Sequence, residues 1–308
     1  MNNKPTVSIA IGTTMFARYA DLPNTVSHAI AEFIDNALQS YRNNKDYFQS
    51  INPDFRFKVT IEFDWNTDDN RARKITISDN AGGLNFTSFQ KAFMTAETPE
   101  DNKGLNEFGM GMKTAAGWLG NKWSVRTSAI GESVERFYEF DLLYVLENDV
   151  KELPYDEIPS SESSHYTIVT IEEPTKNSPS QKSVDKIKLE LASIYRQSLR
   201  ANEMDLFVDG EPLSFDEYPI LEVPFAKTPN GDRIYWRKEI EFQFRKYRAK
   251  GFIAILKDIN NTQNGLVLLR RGRVIVGAET DGRYFPKTIF GSQGNFRFKR
   301  LFGDHALV

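Results

Sequence analysis

Two acids and a carboxamide interrupt an apolar helical pattern in HAIAEFIDNALQS, residues 28–40: Glu32, Asp35 and Asn36. Glu32 and Asn36 are four apart, so on a helix they are neighbours on one face, and that face is not the apolar stripe. Read alone, they are as well explained as the wet side of an amphipathic helix. A second stretch, ITISDNAGG (75–83), ends a hydrophobic run with Asp79 and then two glycines. A carboxylate at a strand end accepts a hydrogen bond from an exocyclic amine, and glycines let a planar ring approach the backbone closely. The same residues also make an ordinary turn. In a third stretch, NEFGMGMKTAAGWLG, Gly109 and Gly111 precede a helical pattern whose first turn holds Lys113. Glycines running into a helix N-terminus form an anion site of backbone N–H groups, to which Lys adds charge. The GxxxxGK[ST] spacing of a Walker A loop is absent, and no strand leads directly into a GxGxxG pattern.

These residues need elements to hold them. Residues 1–20 read as extended, and residues 21–42 as a helix with Ile30, Phe33, Ile34, Ala37 and Tyr41 on one face. FRFKVTIEF (55–63) alternates like a strand, NTDDNRAR is a turn, and KITISD is a second strand that delivers Asp79 to its end. A short helix is expected over 86–94 and another over 112–119. Between them lies a long segment rich in glycine and charge, a composition common in functional loops. KWSVRTSA, VERFYEFDLLYV and YTIVTIEE read as strands, residues 147–164 as an acidic loop, and EPTKNSPSQKS as the best linker candidate. A helix over 183–200 and several strand-like pieces follow, among them NGLVLLRRGRVIVG. The pattern predicts an α+β domain to about Glu173 and then a second α/β domain.

The chain has 308 residues, no cysteine and three scattered histidines, which removes disulfides, thiol nucleophiles and zinc–cysteine sites. No apolar run approaches the length that crosses a bilayer, the first residues have no signal-peptide pattern, and a cytoplasmic location is expected. The net charge of -3 is unevenly spread: Arg233–Val308 balance to +10, leaving -13 on the rest. A basic C-terminal portion can face an anion such as a nucleotide phosphate or nucleic acid.

EFIDNA (32–37), DNAGGL (79–84), GLNEFGMGMK (104–113) and, more weakly, HYTIVTI (165–171) occur in one order inside one predicted domain. In this the chain resembles the GHKL superfamily of ATPases, the gyrase B, Hsp90, histidine-kinase and MutL group, over roughly residues 20–175. FGMGMKTAA, LLRRGRVI and FKRLFGDHAL look most like the bacterial MORC-like branch. The resemblance implies a Bergerat-fold ATP-binding domain over residues 1–175, with helices on one face of a mixed sheet. A ribosomal-protein-S5-like transducer domain over 176–308 would follow.

By that resemblance, Glu32 is the general base and Asn36 the Mg²⁺ ligand, with Asp35 supporting the site or touching nucleotide. Asp79 accepts from the adenine amine, Gly83 packs against the base, and Thr167 helps Asp79. Residues 95–111 are the lid, Gly109, Met110 and Gly111 cradle phosphate, and Lys113 adds charge. Three positions depart from the family pattern: Ala81 replaces a glycine, Gln39 an acid, and Tyr166 a glycine. The resemblance also places a phosphate-reaching lysine shortly beyond RLFG, so an incomplete transducer and slow hydrolysis are expected. Lys287, Lys299 and Arg300 are the in-chain substitutes. The implied function is a Mg²⁺-dependent ATPase forming an ATP-gated homodimeric clamp on DNA. A role in genome defence, and further domains or partner proteins, would fit the same branch. The alternatives are a histidine-kinase-like catalytic domain, for which His28, His165 and His305 offer no phosphoacceptor helix pair, and an Hsp90-like chaperone ATPase.

Overall fold

The computed structural model describes residues 13–93, 111–150, 152–245, 247–279 and 282–307. The chain divides into two compact units. Residues up to Val184, with Phe207–Gly210, form the first; Asp185–Leu206 and the residues from Glu211 onward form the second. No described helix is long and apolar enough to cross a membrane.

Helix α1 spans Val26–Asn43 and is preceded by a 3-10 segment, Thr13–Asp21. The helix begins five residues later than its apolar periodicity suggests, because Pro23 precedes Thr25, whose side chain accepts the His28 N–H at 3.2 Å as an N-cap. Ile30, Phe33, Ile34, Ala37, Leu38 and Tyr41 are buried, while Glu32, Asn36, Gln39 and Ser40 are half-buried along one side. Helix α2 (Lys45–Ile51) follows, and Tyr41, Phe48, Phe55 and Phe57 stack where these helices meet the first strand.

The strands of this unit are β1 (Lys58–Trp65), β2 (Ala72–Asp79), β3 (Gly120–Ser128), β4 (Val134–Asp141), β5 (Tyr155–Pro159) and β6 (Tyr166–Pro174). They lie in the order β5-β4-β3-β6-β2-β1, antiparallel at all five junctions. A later strand, β7 (Asp205–Val208), continues the sheet beyond β1. Its outer half and turn are tied in by Asp209, whose carboxylate accepts the Phe63 N–H at 2.8 Å while its own N–H donates to Ile61 at 2.9 Å. Helices α3 (Phe86–Phe93) and α4 (Gly111–Leu119) complete the frame of the site.

Four local expectations change. The strand expected to run through VERFYEFDLLYV stops at Asp141, because that carboxylate accepts the Tyr144 N–H at 3.0 Å and caps helix α5 (Leu142–Glu147). The acidic stretch 147–164 contains β5, an edge strand exposed along its whole length, so no apolar alternation marks it. EPTKNSPSQKS is held to the first unit: the Arg71 guanidinium donates to the Lys176 and Ser178 carbonyls, each at 2.6 Å, and Ser178 is buried. The N-terminal segment is not extended where it is described. That part is the 3-10 helix, which lays Tyr19 over Gly117 of α4; just beyond it, the Leu22 carbonyl accepts the Trp118 indole N–H at 2.9 Å.

The second unit is β-rich. Helices α6 (Val184–Ile194) and α7 (Arg196–Arg200) replace the single helix expected over 183–200. After β8 (Glu211–Pro212) come a two-stranded ribbon of β9 (Glu222–Pro224) and β10 (Arg233–Tyr235) and a five-stranded sheet. That sheet runs β11 (Arg237–Phe244), β12 (Tyr247–Ile255), β15 (Leu301–Leu307), β13 (Gly265–Arg270), β14 (Arg273–Val276), with β13 and β15 parallel. Short helices α8 (Lys287–Phe290) and α9 (Phe296–Arg300) precede β15. Phe252, Ala254, Leu256 and Phe302 form a core cluster. The fully buried Arg196 is compensated by Asp304 at 3.0 Å, the Ser193 carbonyl at 2.9 Å and the Phe215 ring at 4.4 Å.

Candidate active site

Helix α1 is the common wall of the site. Near its C-terminal end, Ser40 Oγ accepts the Gly82 N–H at 3.1 Å, which fastens the loop after β2 to the helix. Eight residues earlier, about 12 Å along the axis, Glu32 meets the N-terminus of α4. A Cβ added at Gly111 would lie 2.0 Å from Glu32 Oε2. The glycine therefore lets a carboxylate lie against the first turn of a helix, where N–H groups and the helix dipole stabilise negative charge. Two segments far apart in the chain, the loop after β2 and the start of α4, thus meet one face of α1, with Asn36 between the two contacts.

Asp79 ends β2 and pairs in register with Thr167 of β6. Its carboxylate accepts the Ala81 N–H at 2.8 Å. Burial pushes its carboxyl up to about 7, against the pull of the Ala81 and Thr167 N–H bonds. The following loop is fixed from several sides. Asn80 Oδ1 accepts the Lys58 N–H at 2.7 Å, and its amide donates to Arg56 at 2.9 Å. His165 Nδ1 lies 3.0 Å from the Asn80 carbonyl and 3.1 Å from that of Ala81. Because carbonyls only accept, Nδ1 carries the proton. Gly83 has φ +69, and a Cβ there would sit 1.9 Å from the Ser128 carbonyl, so only glycine fits.

Thr127 and Ser40 were not apparent as site residues in the sequence. Thr127 is fully buried. Its hydroxyl donates to Tyr166 C=O at 2.9 Å, accepts the Leu84 N–H at 2.9 Å, and lies 3.2 Å from the Thr167 hydroxyl. It thus couples the loop after Asp79 to the strand carrying Thr167. Ser40 is one helical turn beyond Asn36, a spacing that marks it as a face neighbour but not what it touches.

The remaining expected residues fall into place unevenly. Asp35 is buried within α1. Gln39 donates to Asn43 at 2.7 Å, and Tyr166 donates its hydroxyl to Glu135. Lys113 is buried, and with Tyr19, Gly117, Trp123 and Phe140 it lines a cavity beneath α4. Two positions on from Gly111, it leaves the helix on a different side from the Glu32 contact. Gly109, Met110 and the lid up to residue 110 lie outside the described residues. In the second unit Arg300 is committed to the Leu256 carbonyl at 2.9 Å, and Lys287 is exposed.

Among the described residues no group of three His, Cys, Asp or Glu is placed to hold a metal. The donor set at α1 fits a hard cation only as one contributor. The Asn36 amide supplies one oxygen, and phosphate and water oxygens would complete the shell.

Residues 24–170 match the family model for histidine kinase-, DNA gyrase B-, and HSP90-like ATPase. No curated protein matches the chain.

Proposed function

We propose, from the premise that residues 24–170 are a GHKL ATPase domain, that this domain hydrolyses ATP with Mg²⁺ at the face of α1. The observation that carries the reading is the double contact of one helix, Ser40 to the loop after Asp79 and Glu32 to the start of α4. On this reading the two contacts mark a base-recognition end and a phosphate end of a common wall. Asp79 accepts from the adenine amine, with Thr167 beside it, and Gly83 leaves the backbone open to the ring. The phosphates face the N-terminus of α4, with Gly109, Met110 and Gly111 as the cradle and Lys113 adding positive potential from below. Asn36, with Asp35 behind it, would hold Mg²⁺, which when bound would neutralise phosphate charge. Glu32 takes a proton from the attacking water as the γ-phosphate leaves the β-phosphate oxygen.

Gly111→Ala tests the geometry. The clashing atom is the end of a flexible carboxylate and alanine favours the helix, so thermal stability will change by less than about 1 kcal/mol. Glu32 must move, however, and turnover in a phosphate-release assay will fall roughly tenfold or more. Native turnover in Gly111→Ala would disconnect the Glu32–Gly111 contact from catalysis.

We further propose that ATP gates homodimerisation and that the assembly acts on DNA, as in the MORC-like, gyrase B and MutL branches, with residues 176–308 serving as an S5-like transducer. Sedimentation velocity will show a monomer without nucleotide and a dimer with a non-hydrolysable ATP analogue. A monomer under both conditions would overturn the gating.

A further inference from the structure

HYTIVTI brings Thr167 beside Asp79, and its first residue, His165, has no part in the chemistry proposed for the site. The His165 ring is placed by packing. Phe48 of α2 and Phe55 beyond it stack on each other with centroids 4.3 Å apart. The imidazole lies against both, at 5.1 and 5.9 Å. It is half-buried, and its Nδ1 proton is shared between the Asn80 carbonyl at 3.0 Å and the Ala81 carbonyl at 3.1 Å.

Each of these oxygens belongs to a planar peptide whose N–H has its own acceptor. The Asn80 oxygen and the Ala81 nitrogen are two ends of one such group, and that N–H donates to Asp79 at 2.8 Å. The Ala81 oxygen and the Gly82 nitrogen are the ends of the next, and that N–H donates to Ser40 of α1 at 3.1 Å. In a trans peptide the N–H points opposite to the C=O. Holding both oxygens therefore aims one N–H at the carboxylate and the next at helix α1. The rest of Asn80 is tied to the start of β1. Its side chain bonds the Lys58 N–H and the Arg56 carbonyl, and its own N–H donates to the Lys58 carbonyl at 3.3 Å. Those bonds do not fix the peptide planes that follow, and His165 holds these planes from the oxygen side. An oxygen that accepts a hydrogen bond also polarises its peptide, which strengthens the N–H at the far end.

We propose that His165 is a positioning residue for base recognition: one imidazole proton, shared by two consecutive peptides, aims the Ala81 N–H at Asp79 and so fixes the carboxylate that reads the adenine amine. The inference rests on the proposed role of Asp79 and adds a residue that acts through it. A simple loop anchor needs only a ring of the right size. This role needs a donor at Nδ1, which the ring keeps when Nε2 is also protonated.

The test compares two variants. His165→Phe keeps a ring against Phe48 and Phe55 and removes the donor. His165→Asn removes the ring and keeps an amide N–H close to the backbone, where Nδ1 stood. Affinity is measured by titration calorimetry for ATP and for inosine triphosphate, which carries a carbonyl where adenine has its amine. In His165→Phe, ATP affinity will fall about tenfold, the cost of misaiming a hydrogen bond to a charged acceptor, while inosine triphosphate affinity stays within about twofold. His165→Asn will recover most of the preference for ATP. A merely structural role predicts the reverse order of the variants and equal losses for both nucleotides. Full ATP preference in His165→Phe, equal losses of both nucleotides, or an asparagine variant no better than the phenylalanine one would overturn the role. Nitrogen NMR of the neutral histidine rings tests the native chain itself, where His165 will carry its proton at Nδ1. A ring protonated at Nε2 alone would overturn the role as well. Asp79→Asn keeps the readings apart. If it abolishes the ATP preference and His165→Phe does not, the role of His165 falls alone; if it leaves the preference intact, base recognition by Asp79 falls.

Discussion

Glu32→Ala will bind ATP within a few-fold of the native affinity and lose roughly 10²–10⁴-fold in turnover. The side chain is half-buried on the open side of α1, so its removal leaves the apolar stripe that holds the helix intact. Its carboxylate lies against the first turn of α4, where a γ-phosphate at the helix N-terminus would bring the attacking water within its reach. On the proposed reading, nucleotide affinity would depend on the other end of the wall, at Asp79, and on the phosphate cradle. Truncation therefore removes the proton acceptor and spares recognition. A fluorescent ATP analogue measures binding, and steady-state phosphate release measures rate. Turnover close to native would remove Glu32 from the chemistry, whereas a parallel collapse of binding would assign it to ligand recognition.

Asp79→Asn will weaken ATP binding roughly 10–150-fold, the loss of about 1.5–3 kcal/mol for a hydrogen bond to a charged acceptor. The native chain adds a pH signature. With the carboxyl pushed up to about 7, the accepting, ionised form declines as pH falls below that value. ATP affinity will therefore drop as pH falls from 8 to 6, approaching tenfold per unit at the acid end. Binding near pH 7 will release a proton, visible as a buffer-dependent enthalpy in titration calorimetry. The stability effect has the opposite direction. The unfolded carboxyl titrates in the usual range near 3.9 and the folded one near 7, so between those values the folded state holds more protons. This group's contribution thus makes the unit less stable as pH rises from about 4 through 7. Asp79→Asn abolishes both dependences and will resist thermal unfolding better than the native chain at pH 8. A flat native affinity profile across pH 6–8 would show that the carboxyl does not titrate with nucleotide.

The sequence by itself determined what depends on neighbours within a turn or along a strand. The four-residue spacing of Glu32 and Asn36, the run of apolar residues ending in Asp79 before two glycines, and Gly111 two positions ahead of Lys113 are local patterns, and α1, β2 and α4 carry them. Only the tertiary structure decided which of these residues meet. Ser40 reaches Gly82 across 42 positions, Thr127 joins Leu84 to Thr167, and Glu32 occupies the space a Cβ at Gly111 would need. Lys113 turns to the underside of its helix, and the proline-rich stretch beyond Glu173 is pinned by Arg71. Spacing along the chain sets which side of an element a residue faces. Strand register and helix packing, made of hydrogen bonds and contacts between distant segments, set what lies opposite it, and no local pattern encodes that.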